Sequence, residues 1–315
     1  MKVISCFAGM GGSSLGYKQA GCEVVAMIEW DKHACQVYRL NHPNTIVYQG
    51  DIEKISCNQI LEDTNLKVGE LDILDGSPPC QGFSVCGKRI LDDPRNSLFK
   101  AFLRIADELK PKNIVIENVA GMIRGKMKKA ASEIIRSLKE RGYFVTAGLI
   151  KAIHFGVPQL RPRVFFLASK TSKPRLPDPT SKIITAGEAL KGVVDISGIE
   201  AKKDIKPSLK LFLNLGRNGE TQVAFNKRIG LKGGYNSYWI GSTKIPSRTI
   251  TKEYSTLLHW DRRYFNITEA LVLTGFPPDY KMIGSYSQCW QRIGNSVAPP
   301  MARAIAKSIM EQNNG

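Results

Sequence analysis

The sequence has few of the cysteine and histidine patterns that hold metal ions or disulfide bridges. Its seven cysteines are an odd number, no two of them form a Cys-x-x-Cys pair, and the four histidines include no His-x-x-x-His spacing. A disulfide framework and a structural zinc site are therefore not indicated. We expect a protein that works in a reducing compartment without a metal ion.

Long apolar runs are also missing. No stretch approaches the about 18 apolar residues that a transmembrane helix needs, and the apolar run near the N-terminus is broken by Gly9, Gly11 and Gly12. We expect a chain that is neither exported nor membrane-bound, with a cytoplasmic location that is nucleoid-associated in a prokaryote.

Acidic residues are scarce relative to basic ones. Among 315 residues there are 28 Asp and Glu against 45 Lys and Arg, which gives a formal net charge of +17. Such a surplus favours a polyanionic partner, most simply nucleic acid. A basic cytosolic protein with a solvated surface would show the same count, so charge alone leaves both interpretations open.

Short apolar segments alternate with amphipathic ones through the first half of the chain. Alternation of this kind is typical of an α/β fold, in which ligands bind at the carboxyl ends of the strands of an open, Rossmann-like sheet. The pattern predicts strands at residues 2–8, 22–28, 45–48, 71–74, 113–116, 143–150 and 164–168, and helices at 13–20, 98–109, 128–141, 267–273 and 299–311.

The composition changes near residue 169, where a stretch rich in Pro, Ser and Lys reads as a linker. Residues 171–260 then carry 15 Lys or Arg against seven Asp or Glu, with interleaved Tyr and Trp. This pattern suits a nucleic-acid groove, but for most of these aromatics packing in the small core of a second domain is the favoured interpretation. We expect a first domain at 1–170, a smaller, mostly irregular or β domain at 171–275, and a segment at 276–315 that returns to the first.

A glycine-rich loop, FAGMGG at residues 7–12, follows the first predicted strand and opens a helix, so that a ligand can approach its backbone. Glu29 ends the second strand, where a carboxylate can bind ribose hydroxyls, and Trp30 can stack on adenine. Ser14 stands where the dinucleotide fingerprint needs its third glycine. The loop therefore favours an adenosine cofactor without a pyrophosphate, while a tight turn without a ligand stays possible.

One cysteine lies on a constrained loop. Cys80 follows Pro78 and Pro79 in the segment GSPPCQGFS at residues 76–84, directly after an apolar strand. A thiol at that edge of the sheet is positioned as a nucleophile. The nearby GFSVCGK at 82–88 resembles a phosphate-binding loop, but Arg89 replaces the required Ser or Thr, so a nucleotide triphosphatase is excluded. Inert packing is expected of Cys6, Cys22, Cys35, Cys57 and Cys289, whereas Cys86 is ambiguous.

Five motifs together resemble the ordered motif set of cytosine-5 DNA methyltransferases: FAGMGG, GSPPCQGFS, ENV at 117–119, QLRPR at 159–163 and GNSV at 294–297. The resemblance covers roughly residues 1–170 and 245–312 and leaves the middle unmatched. It implies a Rossmann-like methyltransferase domain that uses S-adenosylmethionine (SAM) and releases S-adenosylhomocysteine. Residues 1–170 would be its catalytic and cofactor-binding domain, and residues 171–275 its target-recognition domain.

The resemblance also implies the chemistry, a methyl transfer to carbon 5 of a cytosine that is flipped out of double-stranded DNA. Cys80 would add to carbon 6, and Glu117 would share a proton with ring nitrogen 3. Arg163 would hold the carbonyl oxygen at position 2, and Asn118 would brace the Cys80 loop. Arg161 joins this catalytic set, although a phosphate contact or a surface ion pair is open for both arginines. No residue is assigned as the base that removes the carbon 5 hydrogen.

Ten residues would bind the cofactor on the family pattern. Glu29 would meet the ribose, Trp30 the adenine face and Asp51 the adenine amino group. The full set is Phe7, Gly9, Gly11, Glu29, Trp30, Asp51, Ile52, Pro79, Asn295 and Val297.

Side chains in the middle segment are candidates for reading base edges, because Arg suits guanine and Asn or Gln suits adenine. For each one, a solvated loop position is the alternative. They are Arg217, Asn218, Gln222, Asn226, Arg228, Asn236 and Arg248.

Two other activities stay open beside DNA methylation: an RNA-directed relative with the same thiol chemistry, and a non-catalytic DNA-binding descendant. The intact Cys80, Glu117 and Arg163 disfavour the second. The absence of a long N-terminal extension indicates a compact prokaryotic or viral modification enzyme. We expect a monomer, which a separate restriction endonuclease could accompany.

Overall fold

The structure is a computed structural model that describes residues 1–79, 97–201, 209–233, 238–253 and 256–313. They form two compact units. The first comprises residues 1–151 and 162–179 and the C-terminal stretch from Pro299, and the second comprises residues 152–161 and 180–298. These bounds differ from the predicted ranges, since residues 276–298 lie in the second unit and the chain returns to the first only at Pro299.

The first unit is built on a seven-stranded sheet with the order β3-β2-β1-β4-β5-β8-β6. Strands β1 to β5 are parallel, whereas β8 is antiparallel to both of its neighbours. The strands are β1 (Lys2–Cys6), β2 (Glu23–Glu29), β3 (Ile46–Gln49), β4 (Ile73–Gly76), β5 (Asn113–Val119), β6 (Phe144–Lys151) and β8 (Pro162–Ser169), while β7 (Gln159–Leu160) belongs to the second unit. The Rossmann-like α/β fold predicted from the sequence is confirmed.

The described helices of the first unit are α1 (Gly12–Gln19), α2 (Lys32–Asn41), α3 (Cys57–Thr64), α4 (Ser97–Leu109), α5 (Lys128–Glu140) and the last helix of the chain, α11 (Pro299–Asn313). Capping explains where α2 and α3 begin, because Asp31 accepts from the backbone N–H of Ala34 and Ser56 accepts from that of Gln59. The apolar faces of α4 and α5 cover the sheet with Phe102 and Ile134, both fully buried.

Strand order determines where the first unit can hold a ligand. The chain leaves β1 towards β2 on one side and leaves β4 towards β5 on the other, while β1 and β4 are neighbours. The carboxyl ends of these two strands therefore flank the crevice that opens where the order reverses.

The second unit has little regular structure among its described residues. Two parallel strand pairs join β7 with β10 (Ser247–Arg248) and β9 (Trp239–Ile240) with β11 (Leu257–Leu258). Its described helices are α6 (Ala186–Ala189), α7 (Lys210–Leu215), α8 (Gln222–Arg228), α9 (Ile267–Leu273) and α10 (Tyr286–Asn295). Trp239 is buried, and the rings of Phe212 and Phe225 lie 5.3 Å apart. These aromatics therefore form a small core.

The five cysteines in the described part of the chain, Cys6, Cys22, Cys35, Cys57 and Cys289, are free and buried. No group of His, Cys, Asp and Glu side chains in the described part of the chain could hold a metal ion. None of the described helices has the length and apolar composition needed to cross a bilayer.

Candidate active site

Most of the predicted site residues of the first unit lie at the carboxyl edge of its sheet. The glycine-rich loop follows β1, Trp30 follows β2, Asp51 follows β3, and residues 77–79 follow β4. Glu117 and Asn118 lie at the end of β5. Parallel strands end at the same edge, so the topology brings these separate motifs into one region.

Three residues of the glycine-rich loop have positive φ angles, a backbone conformation that residues other than glycine rarely adopt. Gly9 has φ +57° and Gly11 has φ +98°, and Phe7 has φ +55° although it is bulky. A bulky residue in the left-handed region is strained, and such strain is concentrated at functional sites. No described atom lies within 4 Å of the point where a side chain on Gly9 would begin, so space is open in front of the loop.

Glu29 holds this loop against the end of β2. Its carboxylate is 8% exposed and accepts the backbone N–H groups of Gly9 and Asp31, each at 2.9 Å and each on a different oxygen. Both oxygens keep lone pairs that hydroxyl groups could donate to. The neighbouring Trp30 side chain is 79% exposed, which leaves an indole face for a flat ring.

Asp51 and Ile52 begin a 3₁₀ turn after β3. The Asp51 carboxylate is exposed and accepts the backbone N–H of Glu53 at 3.0 Å, while the Ile52 side chain is buried. An acceptor for ribose, an exposed indole and an open glycine loop are the groups that an adenosine ligand requires. The residues of the first unit thus fit SAM.

Glu117 and Arg163 form an ion pair at the same edge. Arg163 Nε lies 2.8 Å from Glu117 Oε1, and the two side chains are only 13% and 11% exposed. The register of β5 against β8 explains the contact, because Arg163 is opposite Val119 and therefore diagonal to Glu117. Arg163 Nη1 donates to the carbonyl of Pro162, whereas Nη2 has no hydrogen-bond acceptor among the described residues.

Asn118 contacts the loop that leads towards Cys80. Its Nδ2 donates to the carbonyl oxygen of Pro78 at 3.0 Å, and its Oδ1 accepts the backbone N–H of Val119 at 2.9 Å. Pro79, predicted to border the cofactor, is exposed. Cys80 and Cys86 lie outside the described residues.

Sequence reasoning missed a buried acid in this region. Asp75 lies in β4, one residue before its end, and accepts hydrogen bonds from Ser5 and Tyr17. Burial, together with the nearby carboxylate of Glu117, raises the pKa of Asp75 to about 7, although its hydrogen bonds lower it. An aspartate directly after the apolar residues of the strand predicted at 71–74, in LDILDG at 71–76, was the available signal.

Arg161 is fully buried in the second unit, away from solvent. Its guanidinium donates to the carbonyl oxygens of Ile250 at 2.9 Å, Gly294 at 2.8 Å and Ser296 at 2.5 Å. These contacts give it a positioning role for the GNSV segment, in place of the phosphate or surface role considered from the sequence. The buried Gln159, two residues earlier, donates its amide to the carbonyl of Leu273 at 3.1 Å.

The two C-terminal cofactor candidates also lie in the second unit. Asn295, the last residue of α10, is exposed, and Val297 is buried. Their predicted part in cofactor binding stays a prediction.

The predicted base readers have different surroundings. Arg228 forms hydrogen bonds with both carboxylate oxygens of Glu220, and Asn226 donates to the carbonyl of Gly233. Asn218 accepts from Arg262 at 2.8 Å. Those three side chains support the second unit, whereas the side chains of Arg217, Gln222 and Arg248 make no hydrogen bond or ion pair with a described residue, although Arg217 lies near the Glu220 carboxylate. Asn236 lies outside the described residues.

A family model described as C-5 cytosine-specific DNA methylase matches residues 1–311. The chain is similar to the Type II methyltransferase M1.HphI of Haemophilus parahaemolyticus, with 31% identity over 98% of this chain and 87% of that protein. It is also similar to the Type II methyltransferase M.NgoFVII of Neisseria gonorrhoeae, with 32% identity over 98% of this chain and 86% of that protein.

Solved structures show the same fold. A prophage-encoded candidate DNA modification methyltransferase from E. coli matches over the whole of both chains with a TM-score of 0.75 and 25% identity. The Dnmt2 methyltransferase of S. pombe matches over the whole of both chains with a TM-score of 0.69 and 21% identity, a likeness that supports the fold alone.

Proposed function

The chain belongs to the family of C-5 cytosine-specific DNA methylases, and from that premise we propose that it methylates carbon 5 of cytosine within a short specific DNA sequence, by base flipping and covalent addition of Cys80 to carbon 6. Membership of the family makes the chain a SAM-dependent DNA methyltransferase. The residue roles below are part of the proposal.

The observation that carries the proposal is the Glu117–Arg163 pair at the carboxyl edge of the sheet, with Asn118 beside it on the Pro78 carbonyl. A cytosine ring needs a proton donor or sharer at nitrogen 3 and a hydrogen-bond donor at its position 2 oxygen. A carboxyl group and a guanidinium held together supply both groups, in a place where water access is limited.

Covalent addition makes carbon 5 reactive. The Cys80 thiolate forms a bond to carbon 6, and the electron pair of the carbon 5–carbon 6 double bond forms a new double bond between carbons 4 and 5. The pair of the former carbon 4–nitrogen 3 double bond moves onto nitrogen 3, which takes the proton that Glu117 holds there. Carbon 5 then carries the electron density needed to accept an electrophilic methyl group. Loss of the carbon 5 proton to a base restores the double bond and expels the Cys80 thiolate.

Residues of the first unit would hold the methyl donor. When bound, SAM supplies the electrophilic methyl group. Glu29 would accept hydrogen bonds from the ribose hydroxyls of SAM, and Trp30 would cover its adenine. Gly9 and Gly11, which lack side chains, would let SAM lie close to the backbone of the loop. Asp51 would accept from the adenine amino group.

A basic surface on the first unit supports DNA binding at the same edge. We define the β5–α5 basic surface as Arg124, Lys128 and Lys129, three exposed residues whose side chains make no hydrogen bond or ion pair with any described residue. They follow Glu117 by seven to twelve residues, and the buried Met122 anchors their loop. Phosphate contacts there would help to offset the few kcal/mol that extruding a base costs.

The partner we propose is double-stranded DNA, and the chain would act as a monomer. In the second unit, Arg217, Gln222 and Arg248 are the candidates for base readout whose side chains make no hydrogen bond or ion pair with a described residue. The named relatives are Type II methyltransferases, so a cognate restriction endonuclease that acts separately is part of the proposal.

Bisulfite sequencing of a plasmid recovered from cells that express the chain tests this function. We expect protected cytosines at one short recurrent sequence, and none in cells that express the Cys80→Ser variant. Purified protein should likewise methylate duplex DNA and not transfer RNA. Methylation of transfer RNA alone, or an unmodified plasmid from cells with abundant folded protein, would contradict the proposal.

A further inference from the structure

A buried carboxyl group lies beneath the glycine-rich loop. Asp75 of β4 is 3% exposed. The Ser5 hydroxyl donates to its Oδ2 at 2.8 Å, and the Tyr17 hydroxyl donates to its Oδ1 at 3.0 Å. The mechanism proposed above uses none of these groups.

The two donors lie on opposite sides of the loop. Ser5 is in β1, just before the loop, whereas Tyr17 is in the second turn of α1, which follows it. Asp75 is paired with Ser5 across the β1–β4 register and is followed by Gly76 and residues 77–79. One carboxyl group thus ties both ends of the glycine-rich loop to the strand that leads towards the Cys80 segment.

Burying the Asp75 carboxyl group lowers the stability of the fold. We therefore infer that its benefit is to hold neighbouring elements in place. The titratable groups that face Asp75 are Cys6 of β1, Tyr17 of α1, Tyr38 of α2 and Glu117 of β5, and none of these four is a cation. A buried carboxyl group without a cation costs more than an apolar side chain of similar size. Only a polar group, however, can accept hydrogen bonds from donors on both β1 and α1.

We propose that Asp75 is a positioning residue for the methyl donor, which fixes the glycine-rich loop through Ser5 and Tyr17 in the conformation that SAM binds. The inference rests on the proposed function, because it names a determinant of the same cofactor site. Asp75 itself is buried behind the loop, so it acts through the loop backbone and not by contact with the reacting atoms.

Four variants test the inference. Tyr17→Phe removes one hydroxyl and keeps the ring, and Asp75→Ala removes the shared acceptor. Asp75→Asn is the conservative variant, which keeps an acceptor for Tyr17 and a group that can bond to Ser5. Tyr143→Phe is the matched control, because its buried hydroxyl donates to the carbonyl of Pro111 at 2.7 Å elsewhere in the same unit.

The readouts are the Kd for SAM by calorimetry, the amide hydrogen exchange of residues 8–14 without ligand, and steady-state kinetics. We expect Tyr17→Phe and Asp75→Ala to raise the Kd and KM for SAM about tenfold and to speed exchange in the loop, because each loses a buried hydrogen bond. The kcat at saturating SAM and the KM for DNA should stay within about twofold, since the reacting groups are unchanged.

Asp75→Asn should restore most of the affinity, and Tyr143→Phe should bind SAM as the wild type does. A SAM affinity that is unchanged in folded Tyr17→Phe and Asp75→Ala would overturn the inference and leave the proposed function intact. An equal loss of affinity in Tyr143→Phe would also overturn it, because the effect would then be general. Wild-type protein that binds no SAM would overturn both the inference and the proposed function.

Discussion

Glu117 and Arg163 are 46 positions apart in the sequence, yet their side chains meet at 2.8 Å. Their residue types and motifs could be predicted from the sequence. Their contact could not, because it depends on the register that sets Val119 opposite Arg163 in an antiparallel strand pair. Asp75 was missed for a related reason, since its donors come from β1 and α1 and only the folded sheet brings them together.

The role of Glu117 gives a prediction for a single atom change. Glu117→Gln keeps the shape and the contact distance to Arg163 but cannot share a proton with nitrogen 3. We expect the kcat to fall about 10²- to 10⁴-fold, with the Kd for DNA unchanged in a gel-shift assay. Glu133→Gln, which alters an exposed ion pair with Arg136 on α5, is the control that should retain the wild-type kcat. A normal rate for Glu117→Gln would remove this residue from the mechanism.

The buried Asp75 predicts a particular dependence of stability on pH. Burial raises its pKa to about 7, so between about pH 4 and pH 7 the folded protein holds a proton that the unfolded chain has released. The contribution of Asp75 to the free energy of unfolding therefore falls as the pH rises through that window, by up to about 1.4 kcal/mol per pH unit. Asp75→Asn should remove this contribution, as urea unfolding at pH 5, 6 and 7 would show.

Asp72 serves as a control of opposite sign. Burial opposes its ionisation, but the hydrogen bond from Lys112 and the backbone N–H of Lys2 hold the pKa of Asp72 below its usual value. The Asp72→Asn variant should therefore lose more stability relative to the wild type at neutral pH than at acid pH. Identical pH profiles for the wild type and Asp75→Asn would contradict the account of the buried carboxyl group.

At the scale of elements, the strands of the first unit could be predicted to within a few residues because each is a short apolar run between polar turns. The prediction ended β4 at residue 74, whereas the strand continues to Gly76 because pairing with β1 and β5 goes on past the apolar residues. Helices α2 and α3 were missed. They are short, and the caps of Asp31 and Ser56 that begin them were not used.

The packing of α1 on α11 predicts a cost for one added methyl group. A side chain on Gly16 would overlap the carbonyl oxygen of Pro299 and approach Ala302 Cβ to 2.7 Å. Because part of this obstacle is backbone, it cannot move aside, and Gly16→Ala should destabilise the protein by about 1–3 kcal/mol despite its better helix propensity. Gly121→Ala, which meets no described atom within 4 Å, is the control. Equal unfolding midpoints for the two variants would show that the helices do not pack this closely.

At the scale of the whole molecule, the net charge of +17 indicated a polyanionic partner, and membership of a DNA methylase family agrees with that reading. The amino-acid composition alone could not show which Lys and Arg side chains face the DNA. Some of the basic residues bond to groups of the protein itself, as the buried Arg161 does to carbonyl oxygens and the exposed Arg228 does to Glu220.

The dependence of DNA affinity on salt concentration can show whether the β5–α5 basic surface contacts DNA phosphates or contributes only to the net charge. Replacing Arg124, Lys128 and Lys129 by Gln removes three cations from the edge that carries Glu117. Log Kd for duplex DNA plotted against log salt should then have a slope shallower by about 2.7, because each phosphate contact contributes about 0.9. The control replaces Lys67, Lys110 and Lys139, three exposed lysines at the opposite edge of the sheet, with the same change in net charge. Equal slopes for the two triple variants would rule out this surface.

The central claim is that Cys80 bonds to the target base, and trapping of that bond tests it most directly. Duplex DNA with 5-fluorocytosine at the methylated position cannot release its carbon 5 substituent to a base, so the adduct should persist. With SAM present, the wild type and the neighbouring variant Cys86→Ser should each form a denaturation-resistant complex whose mass is that of protein plus methylated DNA, and Cys80→Ser should form none. A complex of undiminished yield with Cys80→Ser, or none with the wild type, would contradict the account.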